Sequence, residues 1–348
     1  MFQVLGLFAA KRFDVDLWAP ETNVDDRYPR RLTARGIRIH RLEFPPSRQF
    51  KRWLRRNGRE LDLVFLSRPE MARQVIDLVR QFSAAKILFY GHDLHHVRLK
   101  MQAARTGAEH LMAEAEAVEA VENAIWRQAD IVYYPSAEEC DYVKRRCRAN
   151  GQEVDARVLP IFGFGGFEKP STLSPHGRSG VLFVGGFGHS PNVDGMLWFA
   201  RDVWPAIASA SRGTRLLIAG SHPPPEVLAL AGETIDVSGF ITDDALKRAY
   251  RRARVAVAPL RFGAGMKGKV VESMRFGLPM VTTSVGAQGL ADAGDALLVA
   301  DDADGQVELV LKLLREDPLW ERTAMAANGF ARQHFSREGL WAALAAAL

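Results

Sequence analysis

The chain has 348 residues, 47% of them hydrophobic and 25% charged, which is an ordinary composition for a folded globular protein. This composition excludes a disordered, collagen-like or coiled-coil chain, and at about 150 residues per domain the length predicts two domains. The two cysteines, Cys140 and Cys147, are too few for a disulfide scaffold or a four-cysteine metal site, and they indicate a reducing, cytoplasmic location. Their spacing fits one face of a helix better than a pair of metal ligands.

Short apolar strands alternate with helices along the whole chain. After an opening helix, FQVLGLFAAKRF, the first half predicts helices over 69–82 and in one run from His96 to Gln128, and strands at 13–20, 37–44, 61–67, 86–91 and 130–136. The second half predicts helices at 193–211, 243–253, 269–277, 304–315 and 317–334, and strands at 179–186, 214–220, 235–240, 255–260, 279–284 and 296–300. This alternation predicts parallel sheets built from βαβ units.

The domain boundary lies in a segment rich in Gly, Pro and Ser, GFGGFEKPSTLSPHGRSG, which has no periodic element. We therefore predict an N-terminal domain over 1–165, a linker over 166–179, a second domain over 180–335 and a final helix over 336–348. A doubly wound domain usually begins with its central strand and a glycine-rich loop, whereas this chain opens with a helix. We therefore expect the native gene product to begin upstream of Met1, and the 348-residue form to be less stable than that product.

The segment VAVAPLRFGAGMKGKVVESMRFGLPMVTTSVGAQGL, residues 255–290, carries the clearest chemistry. A strand is followed by a glycine-rich loop, and a helix begins near Lys269. The free N–H groups of a first helical turn and the charges of Lys267 and Lys269 predict a cradle for a diphosphate. Glu272 could accept hydrogen bonds from a ribose, or it could simply complement the helix dipole.

These residues resemble the signature of the family 4 glycosyltransferases, the retaining enzymes of the glycosyl transferases group 1 with the GT-B fold. The segments FVGGFGHSPNVDGMLWFARDVWP, IDVSGFITDDALKRAYRRARVAVAPL and LFYGHDLHHVRLK add to a resemblance that covers about Phe13 to Phe335. It implies an α/β fold of two Rossmann-like domains that face each other across a cleft, with the final helix crossing back to the first domain. It also implies transfer of a sugar from a nucleotide-sugar donor to a glycan or lipid-linked acceptor, in cell-surface polysaccharide biosynthesis, without a metal or other cofactor.

The resemblance assigns roles by position. His92, Lys267 and Glu272 are implied as catalytic residues, with His92 contacting the transferred sugar and Glu272 holding the ribose. Donor binding is implied for Gly185, Gly186, Asn192, Gly239, Phe240, Ile241, Gly265, Met266, Lys267, Lys269 and Glu272. His95 and His96 are interpreted as helix-start residues, because no third ligand for a metal accompanies them.

The sequence departs from the family pattern at three positions. Ala264 stands where the first glutamate of the E-x7-E motif is expected, Gly186 where an arginine is common, and Asn192 near where a lysine is common. Lys267 and Lys269 can take over the diphosphate contacts. The family mechanism needs no protein nucleophile, since the leaving phosphate itself takes the acceptor's proton. Two alternatives stay open: a degenerate or truncated GT-B nucleotide-binding protein without transferase activity, and a GT-B nucleotide-sugar epimerase, for which no set of proton-abstracting carboxylates is found.

Basic residues are concentrated between Arg27 and Arg59, where twelve of them accompany a single acid, Glu43. This stretch predicts peripheral contact with the anionic inner face of the cell membrane. Its aromatic residues are too few and too scattered for nucleic-acid stacking, so no nucleic-acid partner is expected.

Overall fold

The computed structural model describes residues 2–20 and 27–348, and the side chains of Arg27 and Tyr28 are not part of that description. The chain divides into two compact units. Unit 1 comprises Met1–His96, Met112–Gly163 and Leu340–Leu348, and unit 2 comprises Val97–Leu111 and Phe164–Gly339. The segment predicted as a linker therefore groups with unit 2, where Pro170–Thr172 forms a short 3-10 helix.

The first part of the chain alternates helices and strands. It contains α1 (Phe2–Ala10), β1 (Asp16–Ala19), α2 (Arg27–Thr33), β2 (Arg38–Arg41), α3 (Arg48–Asn57), β3 (Leu63–Ser67), α4 (Pro69–Phe82), β4 (Lys86–Tyr90), α5 (His95–Thr106), α6 (His110–Gln128), β5 (Ile131–Tyr134), α7 (Ala137–Ala149) and β6 (Ala156–Val158). The predicted strands of this half are present, whereas β6, α2, α3 and α7 were not predicted. Cys140 and Cys147 are both buried on α7, as their spacing indicated.

The single helix predicted from His96 to Gln128 is wrong, because the structure has two helices there. Gly107 separates α5 from α6 with a φ of 71°, a backbone conformation that an α-helix cannot continue. The periodicity of apolar residues carries on across the break, so the pattern alone did not reveal it.

The strands of unit 1 form two separate parallel sheets. β1 pairs only with β2, and β3, β4, β5 and β6 form a four-stranded sheet in that order. Apolar residues of α1, β4 and β5 form one core cluster. Leu340 and Leu344, from the final helix, pack into the same cluster.

Unit 2 contains a single parallel sheet. Its elements are β7 (Val181–Val184), α8 (Ser190–Trp198), α9 (Trp204–Ala210), β8 (Leu216–Ala219), α10 (Pro225–Leu228), β9 (Ile235–Gly239), α11 (Asp243–Arg252), β10 (Val255–Ala258), α12 (Gly268–Arg275), β11 (Met280–Thr282), β12 (Leu298–Val299), α13 (Ala303–Arg315) and α14 (Asp317–His334), and α15 (Arg337–Ala345) ends the chain. The strand order is β12-β11-β10-β7-β8-β9. The strands predicted in this half are all present.

The helix predicted over 193–211 is also interrupted. A π-helical turn, Phe199–Val203, separates α8 from α9. Pro205 lies in the first turn of α9 and has no N–H to donate, so the regular hydrogen-bond ladder cannot run through this point.

One core cluster of unit 2 lies on one face of the sheet. Val181, Phe183, Leu216, Ile218 and Val257 alternate along their strands and are fully or almost fully buried. None of the helices in residues 2–20 and 27–348 has the length and apolar character needed to cross a membrane.

Candidate functional site

Three strands of unit 2 end in glycines that lie side by side. The N–H of Gly185 donates to Ala219 O at 2.9 Å, and the N–H of Gly220 donates to Gly239 O at 2.9 Å. A Cβ at Gly220 would lie 1.7 Å from Gly185 O, so only glycine fits there. The carboxyl ends of β7, β8 and β9 therefore form a surface of exposed backbone, and carboxyl ends of parallel strands are where ligands bind in open α/β sheets. Gly185 and Gly239 were predicted site residues, whereas Gly220 was missed, although a glycine directly after a strand was visible in the sequence.

Three other predicted residues, Gly186, Asn192 and Lys269, meet beside Gly185. Lys269 Nζ donates to Asn192 Oδ1 at 2.5 Å, and Asn192 Nδ2 donates to Gly186 O at 2.6 Å. A Cβ at Gly185 would lie 2.7 Å from Lys269 Nζ. The structure thus brings together the loop after β7, the start of α8 and the start of α12, as expected for a single binding site.

The environment of Lys269 is apolar and lacks a carboxylate contact. Its ammonium lies 4.2 Å from the centre of the Phe183 ring and bonds to an amide oxygen rather than to an acid. Burial, and to a smaller degree the nearby charge of Lys267, lowers the pKa of Lys269 to about 7. An anion placed here would favour the charged form of the lysine, because it would supply the counter-charge that the protein does not.

The Lys267 side chain hydrogen-bonds to carbonyls of its own glycine-rich loop. Its ammonium donates to Ala264 O at 3.1 Å, to Gly265 O at 2.5 Å and to Gln288 Oε1 at 3.0 Å. Gly265 has a φ of 74°, which places Met266 at the turn leading into α12. The helix begins at Gly268, and Lys267 occupies its N-cap position. The charge of Lys267 is therefore held at the N-terminus of α12 by loop carbonyls.

Glu272 contacts α11 rather than the glycine-rich loop. The Tyr250 hydroxyl donates to Glu272 Oε2 at 3.5 Å, and the Tyr250 ring stacks on Phe276 at 4.9 Å. Burial raises the pKa of Glu272. Glu272 lies beyond the first turn of α12, which contains no acid. The alternative interpretation, that Glu272 is a first-turn residue that complements the helix dipole, therefore does not fit the structure. Tyr250 was not recognised in the sequence, because it lies far from Glu272 along the chain.

The turn predicted to hold the nucleobase follows β9. Gly239 has a φ of 64°, and Phe240 is 68% exposed, which is unusual for a large apolar side chain. Ile241 follows in the same turn and is half-buried. An exposed aromatic ring at the carboxyl end of a strand is a suitable surface for stacking a base.

A half-buried ion pair outside the predicted set fixes the start of the loop. Arg261 bonds to both carboxylate oxygens of Asp194, at 2.8 and 2.5 Å, and its guanidinium lies over the Trp198 ring. Ala264, at the first E-x7-E position, contributes its carbonyl to Lys267. No local pattern identified Arg261 or Asp194, because their contact joins two distant segments.

In unit 1, His92 follows the end of β4 in a strained conformation. Its φ is 69°, its Nε2 lies 2.7 Å from Ser67 Oγ, and its ring lies 4.3 Å from that of Tyr90. Burial lowers the pKa of His92 to about 3, so the imidazole is neutral near pH 7 and cannot act there as a proton donor from its charged form. Ser67 was missed in the sequence analysis.

Helix α5 begins at His95, which confirms the interpretation of His95 and His96 as helix-start residues. Glu122 is completely buried, and its carboxylate accepts the N–H groups of both histidines at 3.1 and 3.3 Å. His96 also places Nδ1 2.5 Å from Glu122 and Nε2 2.7 Å from the Tyr142 hydroxyl. Within the part of the chain that the structure describes, no group of three His, Cys, Asp or Glu side chains could hold a metal ion.

The sequence matches one family model and one relative. Residues 178–316, which contain the glycine-ended strands and both lysines, match the family model described as Glycosyl transferases group 1. A 44.6 kDa protein in the cps region of Klebsiella pneumoniae is 30% identical over 130 residues, which are 35% of this chain and 34% of that protein. The matched segment thus spans about a third of the length of this relative.

Solved structures are similar over most of the chain. Sucrose-phosphate synthase from Thermosynechococcus elongatus has a TM-score of 0.71 at 20% identity, covering 99% of this chain and 90% of that one. HepE of Anabaena, solved with UDP-glucose, has a TM-score of 0.68 at 13% identity, covering 99% and 94%. TarM has a TM-score of 0.66 at 12% identity, covering 85% and 57%. Residues 178–316 are thus similar to the glycosyl transferases group 1 family, and the chain has the GT-B fold.

Proposed function

We propose that the protein is a retaining glycosyltransferase that transfers a sugar from a nucleotide-sugar donor to a glycan or lipid-linked acceptor. One observation carries the proposal: Lys269 lies against Gly185 and Asn192 at the start of α12, within the residues that match the family. A lysine without a carboxylate contact, next to exposed backbone and a helix N-terminus, is suited to a diphosphate.

The donor would be held by three features of unit 2. The N-terminus of α12 and Lys269 face the diphosphate, Glu272 holds the ribose, and Phe240 stacks on the base. As the bond to the sugar breaks, negative charge grows on the departing diphosphate, and the helix N-terminus and lysine stabilise it. No protein nucleophile is required, because the acceptor oxygen bonds to the anomeric carbon as the diphosphate leaves, and the departing phosphate takes the hydroxyl proton. No metal ion is required, because Lys269 and the helix N-terminus offset the charge of the diphosphate. His92 stays a prediction for contact with the transferred sugar, in its neutral form.

We assign the reaction to polysaccharide biosynthesis at the cytoplasmic face of the membrane. The relative in a cps region supports this setting. The basic stretch supports membrane contact, since α3 buries Phe50 and Leu54 and exposes its basic side chains, Arg48, Lys51, Arg52, Arg55 and Arg56. Contact would be electrostatic, at about 1 kcal/mol per basic residue near an anionic surface. Co-sedimentation with vesicles tests it: binding that is independent of anionic lipid and of salt would contradict it.

The donor site is tested by titrating the full chain with nucleoside diphosphates and a panel of nucleotide sugars. Lys267→Ala and Lys269→Ala should each weaken binding by about 1.5–3 kcal/mol, the contribution of a charge-assisted hydrogen bond. Lys169→Ala, an exposed lysine of unit 2, is the matched control and should leave affinity unchanged. If all three variants bind the nucleoside diphosphate with the same affinity, the proposed diphosphate cradle is wrong.

The role of Glu272 has a sharper test. Glu272→Gln should weaken the binding of UDP by a larger factor than the binding of 2′-deoxy-UDP. Only UDP has both ribose hydroxyls that the carboxylate would bind. If both nucleotides lose affinity equally, Glu272 supports the helix through Tyr250 and does not read the ribose.

A second candidate is a nucleotide-binding protein without transferase activity. Ala264 favours it, since this position supplies only a backbone carbonyl, and that carbonyl already accepts from Lys267. The two functions differ in turnover: a transferase releases nucleoside diphosphate from a matched donor and acceptor, whereas the binding protein holds the nucleotide without consuming the donor.

A further inference from the structure

A large cavity lies in unit 2 and is lined by neither of the predicted lysines, Lys267 and Lys269. It has a volume of about 740 Å³ and is lined along the sheet and one face of α11. Six arginines line it: Arg178, Arg212, Arg215, Arg248, Arg252 and Arg254. The structure describes all the residues that line the cavity, and none of them is an aspartate or a glutamate.

Only two of the six guanidinium groups are paired with an acid. Arg215 bonds to both oxygens of Asp236, at 2.8 and 2.6 Å, and Arg254 bonds to Asp317 at 2.6 Å. Arg178 is half-buried and donates to the carbonyls of Ser174, Tyr250 and Ala253, which carry no net charge. The cavity therefore holds one guanidinium that is fixed in position without a carboxylate.

The remaining three arginines are exposed. Within residues 2–20 and 27–348, the side chains of Arg212, Arg248 and Arg252 make no hydrogen bond or ion pair. Arg248 and Arg252 lie one turn apart on the face of α11 that carries Ala245 and Ala249. Asp244 and Glu168 interact electrostatically with Arg248 and Arg178 without a hydrogen bond to them, and neither acid lines the cavity. Positive charge is therefore in excess around the cavity, which favours an anionic occupant.

The floor of the cavity is apolar. Leu217 of β8 and Ile241 line it, and the small side chains of Ala245 and Ala249 leave open space above the sheet. A cavity of this volume is in the range of small-molecule sites and is much larger than a phosphate ion. Guanidinium groups bind phosphate oxygens in pairs of parallel hydrogen bonds, so arginine is the residue expected for this ligand class.

We propose that this cavity is a second ligand site, which binds a soluble organic phosphate with an apolar group next to the phosphate. The phosphate lies among Arg178, Arg248 and Arg252, and the apolar group lies over Leu217. The site differs from the proposed donor site, because Lys267, Lys269 and Glu272 do not line the cavity. Ile241 alone is shared between this cavity and the donor-binding residues predicted from the sequence.

Calorimetric titration of the full chain with inorganic pyrophosphate and with geranyl diphosphate tests the proposal. Geranyl diphosphate should bind more tightly than pyrophosphate. Arg248→Gln and Arg252→Gln should each weaken its binding by about tenfold or more, the lower end of what a charge-assisted hydrogen bond contributes. Arg201→Gln, an exposed arginine of unit 2 outside the cavity, is the control and should not change the affinity. Circular dichroism confirms that each variant is folded.

UDP is titrated into the same variants to separate this site from the donor site. The affinity for UDP should be the same in Arg248→Gln, Arg252→Gln and Arg201→Gln. This expectation does not depend on the proposal that UDP binds at Lys269. Three results would overturn the proposal: no binding of geranyl diphosphate, equal binding by all three variants, or a parallel loss of UDP affinity that makes the cavity part of the donor site.

Discussion

The two units differ in how their parallel strands pair. In unit 2, β7 lies at the centre of the sheet and pairs with β8 on one side and β10 on the other. Unit 1 has β2-β1 and β3-β4-β5-β6 as separate sheets, and none of its described residues takes the position that β7 has in unit 2. β1 and β3 therefore each have one edge without a sheet partner, and all but one of their residues are only half-buried, whereas β10 is buried throughout.

The units also hold the carboxyl ends of their strands by different means. Unit 2 uses backbone contacts that require glycine, as at Gly220. Unit 1 uses a buried polar cluster of Glu122, His96 and Tyr142, together with the contact between Ser67 and His92. Unit 2 therefore presents open backbone and a lysine without a carboxylate contact to a ligand, whereas in unit 1 the side chains of Glu122, His96 and Tyr142 hydrogen-bond to one another.

The largest effect is expected in the polar cluster of unit 1. Glu122→Ala should cost about 3–5 kcal/mol, because the buried His96 Nδ1 and the N–H groups of His95 and His96 lose their partner, although His96 Nε2 keeps the Tyr142 hydroxyl. Glu116→Ala, an exposed acid on the same helix, is the control and should cost little. Native-state hydrogen exchange of the β4 and β5 amides measures both, and similar exchange in the two variants would show that the cluster does not support unit 1.

The glycine contacts of unit 2 are tested by Gly220→Ala. Its methyl group would meet Gly185 O, so the strand ends must separate, at about 1–3 kcal/mol for overpacking. A Cβ at Gly188 has no neighbour within 4 Å, so Gly188→Ala is the matched control. We expect nucleotide affinity to fall only in Gly220→Ala, and unchanged affinity and stability in that variant would refute the close approach.

The lysine without a carboxylate contact in unit 2 predicts a pH dependence. The pKa of Lys269 is about 7 without ligand, and a bound diphosphate should raise it, so binding takes up a proton above pH 7. The Kd of a nucleoside diphosphate should therefore be flat below that pH and rise by about tenfold per pH unit above it. Lys269→Met should abolish this slope in calorimetric titrations; a slope that persists would assign it to another group.

The smallest effect concerns the free strand edges. Amides of β3 that point away from β4 should exchange faster than those of β10, because β10 has a partner on both sides. Hydrogen exchange with residue-level resolution measures this difference. Equal protection along β3 and β10 would mean that the free edge of unit 1 is covered in solution.

Much of the architecture could be predicted because it is written in local patterns. Short apolar runs identified every strand except β6, and the loop Gly263–Lys267 before α12 could be recognised from its glycines and lysines. The breaks at Gly107 and at Phe199–Val203 could not be placed, since apolar periodicity continues through both. α3 was missed because its basic residues hide a narrow apolar stripe, Phe50 and Leu54.

The sequence by itself determined the strand and helix order, the residue types of the donor loop and the family they resemble. The tertiary structure alone decided which of them meet: Lys269 with Asn192, 77 positions earlier, Glu122 with His96, and Tyr250 with Glu272. It also decided that Lys267 is held by the loop and that Lys269 is left without a carboxylate. The physical reason is that local periodicity reports which face of an element is buried, whereas a contact between distant segments depends on how several buried faces pack together.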